Sequence, residues 1–264
     1  VHYIDSGSGT PLVLLHAYPV DSRMWDDVRP GLAGQARLIT PDQRGLGRSP
    51  LDGGGPNGGG TVPRPDLSVV AADVLALLDR LGLDRVVLGG CSMGGYAAMA
   101  VLRAAPERIA GLLLVNTKAS ADTEEARATR LSVAERAEAE GGRGWLAESM
   151  LPKLLGTTTT TRRPDVVDTV RGMIDGQPAA GVAWAQRAMA ARPDSSDALR
   201  AAGVPALVVT GDEDTVVPPH LSREMAGLLP RAEYVELPGC GHLPPVEDAH
   251  SFVRTVLDWL PTVG

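Results

Sequence analysis

The chain has 264 residues, 44% of them hydrophobic, and a formal net charge of -7. That size and composition fit one large α/β domain, or a core carrying an insertion, and exclude collagen-like and disordered classes. The acidic balance argues against nonspecific nucleic-acid binding and against attachment to anionic membranes, and is silent about a small substrate.

Residues 1–5 alternate enough for an edge strand, and Ser6-Gly7-Ser8-Gly9 is a turn. Leu12-Val13-Leu14-Leu15 is a continuous apolar run, the pattern of a strand covered on both faces, and it ends in His16-Ala17-Tyr18-Pro19. Asp21 and Ser22 then cap a helix expected to run to about Leu32. Residues 36–40 read as a strand leading into Pro41-Asp42-Gln43-Arg44-Gly45-Leu46-Gly47-Arg48-Ser49. The stretch 51–65 is rich in Gly and Pro and reads as a loop. Its Gly53, Gly55 and Gly58 match G-x-G-x-x-G. No strand directly precedes them, Pro56 interrupts and no helix opens on the last Gly, so a dinucleotide fingerprint is rejected.

Over residues 67–81 the apolar positions Val70, Val74, Leu77, Leu78 and Leu81 fall on one helical stripe, ended by Gly82. A short buried strand, Arg85-Val86-Val87-Leu88-Gly89, leads to Gly90-Cys91-Ser92-Met93-Gly94 and then to an Ala-rich helix. Residues 109–115 form the next strand, closing with Asn116. Strand and helix alternating in this way imply parallel βαβ units in one sheet.

From Lys118 to about Arg200 no strand-like run appears, and helices are expected around 124–140, 144–155, 165–175 and 179–191. Thr157 to Thr161, a low-complexity run, reads as a loop. The chain thus divides into a first part of the core at 1–117, a helical cap at 118–200 and a second part of the core at 201–264. Trp145, Met150 and Trp184 are candidate substrate contacts from the cap, with ordinary packing as the competing reading of each. The sheet pattern resumes at 205–210, which runs into Gly211-Asp212-Glu213-Asp214, followed by a helix around 221–229. A last strand at 232–237 leads to Pro238-Gly239-Cys240-Gly241-His242, and residues 246–260 close the chain as a helix.

A strand, then G-x-S-x-G, then a helix is the sequence form of a nucleophile elbow, with Ser92 at its apex. Gly90 and Gly94 supply clearance where a Cβ would collide. A serine hydroxyl needs a base within hydrogen-bond reach. Among the five histidines, His242 alone sits in a Gly-flanked loop just past a sheet strand. For the acid that orients the imidazole, Asp214 is the choice; Asp212 and Glu213 are read as solvated or capping. Asn116, at the end of the strand after the elbow, cannot supply a carboxylate. The order Ser92, Asp214, His242 is that of one fold.

On these residues the chain resembles the α/β-hydrolases with a cap domain, and is similar in particular to bacterial esterases, enol-lactonases and cofactor-free haloperoxidase-like hydrolases. The resemblance rests on His16-Ala17-Tyr18-Pro19, Asp42-x-Arg44-Gly45-x-Gly47-x-Ser49, Gly90-Cys91-Ser92-Met93-Gly94, Gly211-Asp212-Glu213-Asp214 and Gly241-His242. It implies a mostly parallel central sheet flanked by helices, with a helical cap insertion. It also implies an oxyanion hole formed by the backbone N–H groups of Tyr18 and Met93, and a structural turn around Asp42 and Arg44. One departure is Ala17, where the family usually has Gly; a positive φ there would strain the loop. Serine at the nucleophile position disfavours haloalkane dehalogenase and epoxide hydrolase chemistry, which needs a carboxylate.

The resemblance implies a serine hydrolase acting on a small to medium carboxylic ester or lactone. The alternatives are a C–C bond hydrolase or biosynthetic carbonyl-processing enzyme with the same triad, and a non-catalytic ligand-binding protein of the same fold. No cofactor and no metal is implied, since the two cysteines lack ligand spacing and no H-x-x-x-H occurs. Cys91 and Cys240 read as reduced, partly buried thiols. No apolar run approaches a membrane span and no leader pattern follows Val1, so a cytoplasmic location is the default expectation. Acyl and alcohol preference and oligomeric state are not written in the pattern.

Overall fold

Short runs of Val, Ile and Leu, bounded by Gly and polar residues, become strands because branched side chains pack well on a pleated surface. The computed structural model describes residues 1–53 and 60–263; Gly55, Pro56 and Gly58 of the rejected fingerprint lie outside the described residues. The strands are β1 (Tyr3–Ser6), β2 (Thr10–Leu15), β3 (Ala36–Pro41), β4 (Val86–Cys91), β5 (Ile109–Val115), β6 (Ala206–Gly211) and β7 (Ala232–Leu237). Among the described residues they form one sheet in the order β1-β3-β2-β4-β5-β6-β7. Only the β1–β3 pair is antiparallel; all the other neighbours are parallel.

The helices before the insertion are α1 (Arg29–Leu32), α2 (Leu67–Arg80) and α3 (Met93–Ala104). The insertion contributes α4 (Glu124–Glu140), α5 (Trp145–Leu154), α6 (Thr157–Arg162), α7 (Pro164–Asp175), α8 (Ala179–Ala190) and α9 (Ser196–Ala201), all between β5 and β6. After it come α10 (Pro219–Ala226), α11 (Pro244–Glu247) and α12 (Ala249–Trp259). The core sits where β2, β4 and β5 are covered on both faces, and each fully buried Leu or Val there stabilises the fold by about 1.5–3 kcal/mol. The predicted stripe of α2 is buried at Val70, Val74, Leu77 and Leu78, and Asp66 caps the helix by accepting from Ser68 N–H.

Three expectations are corrected. The helix expected from Asp21 to Leu32 is instead a 3-10 turn, Ser22–Trp25, followed by the short α1. Pro30 explains the break, because it has no N–H to continue the ladder. The run Thr157 to Thr161 is helical, within α6, and not a loop. Tertiary partners at its start outweigh the weak helix propensity of threonine. The closing helix is broken at Asp248, which caps α12 by accepting from Ser251 N–H.

Within the insertion α4 packs on α8. At its base Asp122, 3% exposed in its side chain, accepts from Arg130 Nε at 2.6 Å and pairs with Arg192 at 2.8 Å. The Arg192 guanidinium lies 4.0 Å from the centre of the Tyr96 ring on α3, which couples the insertion to the helix after the elbow.

Candidate active site

In a parallel sheet the loops that can carry a site gather beyond the carboxyl ends of the strands. Here those ends present His16–Tyr18 after β2, Ser92 after β4, Asn116 after β5, Asp214 after β6 and His242 after β7. Ser92 has φ 52° and ψ -111°, a strained conformation for a residue with a Cβ. Its N–H donates to the Val115 carbonyl at 2.9 Å, and its own carbonyl accepts from Tyr96 N–H at 3.1 Å and Thr117 Oγ1 at 3.0 Å. The clearance argument holds in numbers. A Cβ on Gly90 would lie 2.2 Å from the Gly94 carbonyl carbon, and one on Gly94 would lie 2.1 Å from the Leu15 oxygen. Ser92 is 8% exposed at the start of α3, whose N-terminal end favours developing negative charge.

The structure brings the candidates His242 and Asp214 together. Nδ1 of His242 donates to Asp214 Oδ2 at 2.8 Å, with the two side chains 1% and 0% exposed. A carboxylate only accepts, so Nδ1 carries a hydrogen and Nε2 is the ring nitrogen left facing away from Asp214. The second Asp214 oxygen accepts from the N–H groups of Val216 at 2.8 Å and Val217 at 3.0 Å, which fixes the carboxylate's plane. Cys91 Sγ donates to the His242 carbonyl at 3.4 Å, bringing the histidine loop against the residue just before Ser92. Burial pushes that thiol well above its ordinary value, as a donor requires.

The loop after β2 is organised by His16. Its Nδ1 donates to the Ala17 carbonyl at 2.9 Å, and its Nε2 accepts from Gln43 N–H at 2.8 Å. That pattern demands a neutral ring, and burial holds the imidazole below its ordinary value. Ala17 is not among the described non-glycine residues with positive φ, so the expected strain is absent. Its N–H donates to Met24 Sδ at 3.2 Å, and the Tyr18–Pro19 peptide that follows is cis. The Tyr18 side chain packs near the Gln186 amide, with its hydroxyl buried and without a hydrogen bond of ordinary geometry among the described residues.

The family model described as alpha/beta hydrolase fold matches residues 10–249. The chain belongs to the α/β-hydrolase-fold family. It superposes on a thermophilic esterase from Thermogutta terrifontis, solved with malate bound, with a TM-score of 0.93 and 39% identity over 99% of this chain and 93% of that one. The enol-lactonase from Burkholderia xenovorans LB400 gives a TM-score of 0.86 and 29% identity over 98% and 96% of the two chains. A curated relative, the dihydrolipoyllysine-residue acetyltransferase component of an acetoin cleaving system in Pseudomonas putida, is 31% identical over 96% of this chain. The chain spans 64% of that relative's length.

The Asp42–Ser49 segment is a turn tied to its surroundings. Asp42 Oδ1 accepts from Ser22 N–H at 2.9 Å and Oδ2 from Arg48 N–H at 3.0 Å, while Arg44 pairs with Asp73. Of the candidate cap contacts, Trp145 donates its indole N–H to the Gly141 carbonyl at 2.6 Å and lies under the Arg136 guanidinium. Trp184 donates to the Pro63 carbonyl at 2.8 Å, and Met150 packs half-buried against the core.

Asn116, read in the sequence only as unable to supply a carboxylate, has a bridging place in the structure. It has φ 43°, its Nδ2 donates to the Gly241 carbonyl at 2.7 Å and its Oδ1 accepts from Gly211 N–H at 2.9 Å. One side chain therefore spans the loops that carry Asp214 and His242. The signal that could have found it is an Asn, tolerant of the left-handed region, at a strand end next to the elbow.

Proposed function

We propose that the chain is a serine hydrolase that cleaves a small to medium carboxylic ester or lactone through an acyl-enzyme on Ser92. The observation that carries the reading is the buried His242–Asp214 pair, whose histidine loop abuts the residue before a strained elbow serine. The likeness to an esterase and to an enol-lactonase supports it.

In this reading Nε2 of His242 takes the proton of the Ser92 hydroxyl as Oγ attacks the substrate carbonyl carbon. The N–H groups of Tyr18 and Met93 receive the oxyanion, each donor worth ~3 kcal/mol of barrier. The tetrahedral intermediate collapses, the imidazolium protonates the departing alcohol, and the acyl group stays on Ser92. Water, deprotonated by His242, then attacks the acyl carbon and frees the acid. Asp214 holds the ring's orientation and stabilises the imidazolium. Residues 118–200 act as the cap that shapes the acyl and alcohol sites, with Trp145, Met150 and Trp184 as its candidate contacts.

The test uses para-nitrophenyl butyrate and a fluorophosphonate probe. Ser92→Ala is expected to lower kcat by about a millionfold, with the fold retained. The probe should label Ser92 in the wild-type protein. Undiminished turnover by the variant, or labelling at another residue, overturns the assignment.

A further inference from the structure

We infer that Glu247 is a positioning residue, whose carboxylate fixes the loop carrying His242 against the α5–α6 junction of the insertion. The orientation of the imidazole then depends on a contact made by the insertion. This rests on the reading of Ser92, Asp214 and His242 as the reacting groups.

Glu247 is the last residue of α11 and is 6% exposed. Its Oε2 accepts from Gly241 N–H at 2.9 Å, Gly156 N–H at 2.8 Å and Thr159 Oγ1 at 2.7 Å. Its Oε1 accepts from Leu243 N–H at 2.9 Å. The amide between those two loop residues, that of His242, donates to the carbonyl of Leu154 at 2.9 Å. Three consecutive amides around the histidine are thus all committed, two to one carboxylate and one to the end of α5.

Burying a carboxylate costs several kcal/mol unless polar groups replace its water. Every hydrogen-bond partner named here is a neutral N–H or O–H, so aimed dipoles do the neutralising. Charge-assisted bonds of this kind are about twice as strong as neutral ones. Gly156 is the N-cap residue of α6 and Leu243 that of α11, so the carboxylate takes up one amide that each helix start leaves unpaired. A polar cluster costing this much is not needed to terminate a four-residue helix. It joins two segments distant in sequence, and one of them holds the base.

The junction also reaches the other catalytic loop. Glu213, next to Asp214, accepts from Thr158 N–H at 2.8 Å and Thr158 Oγ1 at 2.6 Å. Backbones come so close that a Cβ on Gly241 would lie 2.2 Å from the Gly156 nitrogen. The Leu154–Thr159 stretch is therefore a fixed buttress under both loops. Without Glu247, His242 sits in a Gly-flanked loop with two amides released, and a displacement of about 1 Å costs on the order of a hundredfold in rate.

Glu247→Gln keeps the side chain's shape but turns one acceptor into a donor that faces N–H groups. The measurement is kcat and KM for para-nitrophenyl butyrate, with kcat counted per serine titrated by the fluorophosphonate. The expected result is a titrated fraction like that of wild type, KM within about threefold, and kcat per site lower by about tenfold to a hundredfold. A purely structural role would lower the titrated fraction and leave kcat per site alone; that result overturns the inference. Should Glu247→Gln fail to fold, Thr159→Val decides by the same measure. It is expected to lower kcat per site several-fold, and Thr159→Ser to restore it, whereas a wild-type kcat per site for Thr159→Val overturns the inference. Wild-type protein that does not label at Ser92 brings down the triad reading and the inference together. Normal labelling with undiminished Glu247→Gln turnover removes the inference alone.

Discussion

The carboxyl-end rim of the sheet and the outer face of the insertion are held by different forces. On the rim, three buried polar side chains have fixed partners: Asp214 on the Val216 and Val217 amides, Asn116 between Gly241 and Gly211, and His16 between Ala17 and Gln43. On the insertion, Arg187 pairs with Glu138 and Arg136 with Glu140 in the open. Exposed pairs of that kind are screened by water and contribute little. Each rim contact leaves an orphaned buried group when broken, so rim geometry is over-determined. Among the described residues the insertion's outer face carries no such buried polar bonds, which lie instead at Asp122, at Gln177 and at the α5–α6 junction.

The largest blow to that contrast is expected from Asp214→Asn. An amide facing Nδ1 selects the wrong tautomer, and kcat should fall by about ten-thousandfold with the melting temperature nearly unchanged. A loss below about tenfold would show that the pair on the rim is structural. Asn116→Ala comes next, since it strips partners from the Gly241 carbonyl and the Gly211 amide. Urea unfolding should show a loss of about 2–4 kcal/mol.

A smaller effect concerns pH. Burial holds His16 below the ordinary 6.5, so just under that value the unfolded chain binds a proton that the folded chain refuses. Stability from this residue is present above about pH 6.5 and is lost as pH falls below it. The fall in melting temperature from about pH 7.5 to about pH 5.5 should be less steep in His16→Gln than in wild type. Equal slopes would assign the dependence to other groups. The smallest effect is expected from Arg187→Ala on the insertion, a stability change within about 0.5 kcal/mol and unchanged kcat. A large loss there would erase the distinction between the two regions.

Much of the rim was legible because its signals are local. Ser92 stands between Gly90 and Gly94, His242 follows Gly239 and Gly241 just past a strand, and Asp214 ends a Gly-x-x-Asp turn, so short spacings singled them out as candidates. The strand-end position of Asn116 was legible but its bridging role was not, because its partners lie 95 and 125 positions away. The threonines of α6 misled for the same reason: their helix is set by Glu213 and Glu247, beyond any local window. Pro30 carried a local sign of a helix break that the capping pattern of Asp21 and Ser22 masked. In the insertion, α4, α5, α7 and α8 stood out between Gly and Pro breaks while α6 and α9 did not, and the bond from Trp184 to Pro63 depends on tertiary contact and left no trace in spacing.

Cys91 carries one more consequence. Peroxide and alkylating reagents attack thiolates, and this sulfur is wholly enclosed, held protonated and engaged with a carbonyl. Cys240 is enclosed as well, and burial raises its thiol too. Neither thiol is open to alkylation in the folded chain, and iodoacetamide is expected to leave turnover intact.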